Sequence, residues 1–309
     1  MAGISLYDYQ REALDKMHNG CILCGGVGSG KSRTSLAYYY IHNGGKLDTK
    51  NYRKMEHPKD LYIITTARKR DTKEWEYEFG PFLIGTDVYS NQIVIDSWNN
   101  IQKYKDVTNA FFIFDEQRVV GYGAWAKAFI RIARTNEWIL LSATPGDTWS
   151  DYIPVFIANG FYRNKSEFTK RHCVYSRYTK YPKIDRYVDT GRLNALRRKT
   201  LVTMDFKRST ISHNETLYSS YDIAKYKETG KSRWNPYTDA PMASASELCY
   251  TWRRIVNSDQ TRLRLVENLS EEHPKAIVFY NFDYELEMLK AGNYISGTKI
   301  AEWNGHKHE

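Results

Sequence analysis

Cysteine is scarce in this sequence, with four in 309 residues. That is too few for a disulfide framework, and a reducing cytoplasm is the expected compartment. Long apolar runs are missing as well. No stretch approaches the roughly 18 uninterrupted apolar residues of a membrane helix, so no membrane partner is expected. Residues 1–9 lack a basic start followed by an apolar stretch, which argues against a signal peptide. Metal-ligand spacing is poor too. Cys21 and Cys24 form a single C-x-x-C pair, with no second pair to complete a zinc site. They read as packing residues, Cys173 and Cys249 stand alone, and His306-Lys307-His308 reads as a loose terminus. There is no internal repeat and no low-complexity tract.

Basic charge is present, and it is concentrated. The net charge is +9, and residues 161–210 hold 14 Lys or Arg against 4 Asp or Glu, leaving the rest near neutral. Tyr162, Tyr175, Tyr178, Tyr181 and Tyr187 interleave with these charges. Charge with stacking surfaces suits a nucleic-acid groove, and Arg197, Arg198 and Lys199 are its candidate phosphate contacts. A basic linker with a solvated face fits the segment equally well.

Hydrophobic periodicity predicts alternating elements over the first 150 residues. Helices are expected at 4–18, 31–41, 69–79 and 124–133, and strands at 21–24, 61–65, 93–95, 111–114 and 138–141. That alternation implies an α/β fold with a parallel sheet and helices on both faces. After residue 160 the pattern becomes basic and partly helical, with helices at 243–256 and 261–269. A strand at Ala276–Tyr280 and a helix at 284–291 read as a fresh βα start.

Gly25-Gly26-Val27-Gly28-Ser29-Gly30-Lys31-Ser32 fits G-x-x-x-x-G-K-[ST]. Glycines let consecutive amides turn inward around phosphate oxygens, and the following helix start adds positive potential. Lys31 would neutralise the β- and γ-phosphates and Ser32 would ligate Mg²⁺, so ATP and magnesium are the expected cofactors. Arg33 extends this cofactor-binding set. Phe111-Phe112-Ile113-Phe114-Asp115-Glu116 is an apolar strand ending in two acids. Asp115 is the second candidate metal ligand, and Glu116 the group that polarises attacking water. Lys31, Asp115 and Glu116 form the catalytic set. Leu141-Ser142-Ala143-Thr144-Pro145 places hydroxyls at another strand end, where Ser142 and Thr144 could report the γ-phosphate state.

In this order and spacing the motifs resemble the superfamily 2 helicases and translocases, most closely the Swi/Snf-like branch and phage-encoded relatives. Tyr9-Gln10 with Arg11 looks like the adenine-recognition element, and Gly25–Ser32 like motif I. Thr65-Thr66-Ala67-Arg68 with Trp75-Glu76-Tyr77-Glu78 looks like motif Ia and its W-x-x-E continuation. Asp96-Ser97-Trp98 sits where motif Ib falls, Asp115-Glu116-Gln117-Arg118 is similar to motif II, and Ser142-Ala143-Thr144 to motif III. Ala276–Asn281 resembles motif IV. The resemblance implies a RecA-like P-loop NTPase lobe over 1–160, a basic helical bridge over 161–260, and the start of a second RecA-like lobe over 261–309. It implies nucleic-acid contacts from Thr66, Arg68, Lys69 and Ser97, with DNA favoured over RNA, and coupling through Arg118, Ser142 and Thr144. Motif II departs from the family pattern at Gln117-Arg118. The family's motifs V and VI, with their arginine finger, have no match before Glu309. The second lobe is therefore expected to be truncated or separate, and hydrolysis by this chain feeble. An ATP- and DNA-binding module with little turnover is the alternative, and a phage DNA-packaging ATPase a lower one.

Overall fold

The computed structural model describes residues 4–116, 122–179, 181–207, 210–273 and 275–304. Its contacts divide into two units, residues 1–209 and 210–309. In the first unit the elements run α1 (Asp8–Leu14), β1 (Ile22–Cys24), α2 (Lys31–His42), β2 (Leu61–Thr65), α3 (Ala67–Asp71), α4 (Glu76–Phe79), β3 (Ile93–Ser97), β4 (Phe111–Phe114), α5 (Ala124–Ala133) and β5 (Glu137–Ser142). They continue with α6 (Ile153–Ala158), α7 (Lys165–His172), β6 (Cys173–Tyr175), β7 (Ile184–Tyr187), α8 (Thr190–Thr200) and β8 (Leu201–Thr203).

Six of these strands form one sheet in the order β3-β2-β4-β5-β1-β8, with every adjacent pair parallel. Strands buried on both faces read as continuous apolar runs, and alternate residues serve opposite faces. Phe112 and Phe114 enter one apolar cluster with α5 and α6. Phe111 and Ile113 enter the other, with α1 and α2. This is the predicted α/β architecture, helices covering both faces of a parallel sheet. Because the strands run the same way, their C-terminal ends share one edge, where ligands bind in such sheets.

Several boundaries differ from expectation. The helix predicted over 69–79 is broken. Thr72 Oγ1 bonds back to the Arg68 carbonyl, and Lys73 takes the left-handed φ of 55°, so α3 stops and α4 starts afresh. The basic segment 161–207 is not a separate bridge. It contains α7, the antiparallel β6–β7 pair and α8, and then β8 lies beside β1. Val202, apolar and β-branched, is 4% exposed there. The compact units therefore break at 209/210 rather than at the expected 160 and 260.

The second unit holds α9 (Ile223–Ser232), the short antiparallel pair β9 (Trp234–Asn235) and β10 (Ala240–Pro241), α10 (Ala245–Asn257), α11 (Gln260–Glu272) and α12 (Asp283–Lys290). The strand expected at Ala276–Tyr280 does not form. Among the described residues of this unit no other strand runs beside that segment, and a lone strand leaves its backbone groups unpaired. Among the described residues no helix is long and apolar enough to cross a membrane.

Candidate nucleotide site

The loop Gly25–Ser32 leaves the C-terminal end of β1 and runs into α2. Gly28 and Gly30 take φ of 83° and 74°, and a Cβ on Gly30 would lie 2.4 Å from Gln10 Nε2. A side chain there is excluded on two counts, backbone strain and the buried glutamine. Gln10 Oε1 accepts from the Tyr7 amide at 3.0 Å, and Nε2 donates to the Ser29 carbonyl at 3.4 Å. Gln10 thus ties α1 to the loop. Beside it Tyr9 stacks on Tyr7, with centroids 5.7 Å apart, and tilts against Phe206 at 5.5 Å. Phe206 and Met204, which approaches Ser29 Oγ to 3.8 Å, follow β8 and were not foreseen. Recognising them requires knowing that residues 201–203 return to the sheet.

Lys31 Nζ donates to the Gly25 and Gly26 carbonyls at 2.7 and 3.0 Å. Burial lowers its pKa, partly opposed by Glu116 and Asp115. Ser32 is half-buried in the first turn of α2, and Val27 is 73% exposed at the loop's tip. Arg33 is engaged elsewhere: its Nε binds Glu78 Oε2 at 2.6 Å, which pins α2 to α4. The W-x-x-E element earns a physical role in this way. Gly25 N donates to the Ser142 carbonyl at 3.2 Å, and Ser142 Oγ accepts from Thr144 N at 3.1 Å. The β5 terminus thus abuts the loop's first residue. Cys21 is buried and Cys24 half-buried, both as free thiols.

Asp115, 2% exposed, ends β4. Its Oδ2 accepts from Thr65 Oγ1 at 2.8 Å, Lys69 Nζ at 2.9 Å and Trp75 Nε1 at 3.2 Å, and its carbonyl accepts from Trp98 Nε1 at 2.8 Å. Glu116 takes a left-handed φ of 56° and pairs with Lys69 Nζ at 3.0 Å. Burial pulls the Lys69 ammonium's pKa down, but Asp115 and Glu116 outweigh it and the net shift is upward. Lys69, expected on nucleic acid, therefore sits on the two candidate catalytic acids. The two indoles holding Asp115 were visible as motif residues, but only the folded sheet shows where they point. Arg118 lies outside the described residues.

The remaining expected nucleic-acid contacts flank this site. Thr66 caps α3 by accepting from Lys69 N at 3.3 Å, and Arg68 is exposed. Ser97, 3% exposed, lines a cleft of about 150 Å³ with Thr65, Thr66, Trp98, Asn99 and Trp125. Asp96, next in sequence to Ser97, accepts from Tyr104 Oη at 2.6 Å, Ser97 N at 2.7 Å, Asn100 Nδ2 at 2.8 Å and Arg70 at 3.1 Å. Burial raises this carboxyl's pKa, but those hydrogen bonds outweigh it and bring it down to about 2. Arg197, Arg198 and Lys199 are exposed on the last turn of α8, and Arg197 lies 6.0 Å over the Trp149 ring. No group of three or more His, Cys, Asp or Glu suited to a metal occurs among the described residues.

A Sulfolobus solfataricus SWI2/SNF2 ATPase core, solved in complex with dsDNA, is similar over 87% of this chain, with a TM-score of 0.51 at 14% identity. The chain has the fold of that ATPase core. It spans 65% of that structure's length. The Hef helicase domain of Pyrococcus furiosus also matches, at 16% identity over 54% of this chain and 40% of that one, but its TM-score of 0.34 carries no weight. No family model and no curated protein matches the chain.

Proposed function

We propose that the chain is an ATP-dependent nucleic-acid translocase of the superfamily 2, Swi/Snf-like, phage-encoded kind. It would act in the cytoplasm on double-stranded DNA. The observation that carries this reading is the convergence at one sheet edge of the glycine loop after β1, the paired acids after β4 and the hydroxyls after β5. ATP with magnesium fits this donor set. The loop excludes side chains at Gly30, Lys31 supplies an ammonium, and Ser32 and Asp115 supply hard oxygen ligands. Bound Mg-ATP would supply the γ-phosphoryl group, with the metal screening its charge. Lys31 would exchange its loop carbonyls for phosphate oxygens. Glu116 would accept a proton from the in-line water, and Ser142 with Thr144 would relay the change along the Gly25 contact. Thr66, Arg68, Ser97, Arg197, Arg198 and Lys199 are the proposed backbone contacts, which position a duplex without reading its sequence.

The second reading, a binding module with little turnover, draws on the Glu116–Lys69 ion pair, since a carboxylate turned toward an ammonium is not aimed at an attacking water. Steady-state ATPase with and without duplex DNA separates the two. DNA-stimulated turnover, reduced at least roughly 10²-fold by Glu116→Gln and by Lys31→Ala, supports the translocase. ATP binding without turnover supports the module, and failure to bind ATP sinks both.

A further inference from the structure

Lys69 belongs to two places at once. By sequence it sits on α3 with Thr66 and Arg68, the segment proposed to meet a phosphate backbone. By geometry its ammonium bridges Asp115 Oδ2 at 2.9 Å and Glu116 Oε1 at 3.0 Å. The two acids depend on it unequally. Asp115 keeps Thr65 Oγ1 and Trp75 Nε1 on the same oxygen, and Trp98 Nε1 on its carbonyl. The Glu116 side chain is 48% exposed on a left-handed backbone. The platform under Lys69 is light: α3 has five residues and buries none of them.

We infer that Lys69 is a positioning residue that couples nucleic acid to catalysis by holding Glu116 until a backbone phosphate draws its ammonium away. This rests on the functional reading above. While the ion pair stands, Glu116 Oε1 faces the ammonium, which fixes the direction of the carboxylate and so the oxygen it can offer to a water. A phosphate arriving beside Thr66 and Arg68 offers the same cation a competing anion. Once Lys69 turns to it, Asp115 stays in place and Glu116 is released to accept a proton. The competition runs both ways: a Glu116→Gln substitution, which takes the anion away from Lys69, must favour the phosphate-bound Lys69.

A double-mutant cycle on duplex DNA binding, measured without nucleotide by fluorescence anisotropy, reads this directly and needs no turnover. Glu116→Gln in the otherwise native chain should tighten DNA binding about fivefold, the scale of one partly exposed ion pair. In a Lys69→Met background Glu116→Gln should change affinity less than twofold, and Lys69→Arg, which keeps the cation, should restore most of the effect. An equal gain in both backgrounds would mean that Glu116 repels DNA at long range, and would overturn the inference. So would no gain in either. If Lys69→Met does not fold, judged by circular dichroism, Lys69→Gln takes its place in the cycle. Failure of the wild-type chain to bind duplex DNA at any salt would instead overturn the functional reading, a result the cycle distinguishes.

Discussion

The two units are stabilised by different means. Residues 1–209 enclose two apolar clusters on opposite faces of the sheet, including a chain of rings from Phe114 through Phe129 to Trp138. Among the described residues 210–304 the buried apolar side chains are Leu248, Ile255 and Leu263. Stacking and cations carry much of the rest. Tyr226 lies flat on Trp252 with centroids 4.9 Å apart, and Arg254 sits 4.1 Å over Tyr237 and 5.4 Å over Tyr284. Such contacts contribute about 0.5–1.5 kcal/mol each, against about 1.5–3 for burying one large apolar side chain. The motifs of the candidate nucleotide site all sit on the first unit, where close packing holds the strand ends in place.

Truncating one core side chain in each unit tests that contrast. Phe129, fully buried, meets Phe114 and Trp138 edge-on at 5.0 and 4.9 Å. Phe129→Ala should destabilise the first unit by about 3–5 kcal/mol. Leu263, 7% exposed, lies in a thinner core that can collapse around a void, so Leu263→Ala should cost about 2 kcal/mol, the low end for its class. Urea unfolding followed by unit-specific hydrogen exchange reads both. Equal costs would break the comparison.

Buried charge gives a smaller effect with a distinct pH signature. Asp96, 8% exposed, gathers its four donors within the first unit. Asp259, half-buried, caps α11 through its carboxylate, which accepts from Thr261 alone among the described residues. Asp96→Asn should cost about 1.5 kcal/mol at neutral pH. The folded carboxyl is depressed to about 2, so its contribution is full above the ordinary value of about 4 and fades as pH falls through about 2. The stability difference between wild type and variant should close over that interval. The corresponding difference for Asp259→Asn should be smaller at every pH, because that carboxylate accepts from one residue rather than four.

The same contrast explains what could be read in advance. Strands β2 and β4 and helix α5 were legible to the residue because runs such as Phe111–Phe114 are buried on both faces, and burial is what periodicity detects. The glycine loop, Asp115 and Glu116 stood out because phosphate and metal chemistry would need those types at that spacing, and the sheet brings them to one edge. Strand β8 was hidden: Leu201–Thr203 is three residues long in a basic context, and its partner β1 lies about 180 residues upstream. Lys69 was assigned to nucleic acid because its neighbours on α3 are basic. Its ion-pair partners in the structure are 46 and 47 residues away in sequence, and no local pattern reports a long-range ion pair. Arg33 was placed with the nucleotide because it follows the glycine loop, and its ion pair with Glu78 is likewise a long-range contact that no local pattern reports.

The smallest predicted effect concerns the segment that sequence reasoning promoted most. Ala276–Tyr280 has the composition of a central strand, yet Ile277 is 84% and Phe279 92% exposed. An exposed aromatic contributes little to folding, so Phe279→Ser should change stability by less than about 0.5 kcal/mol in either direction. Chemical denaturation of the pair of proteins measures this, with Leu263→Ala as the internal reference for a buried position in the same unit. A cost above about 2 kcal/mol would place Phe279 in a packed environment. It would also restore the strand expected at 276–280 and bring the second unit closer in kind to the first.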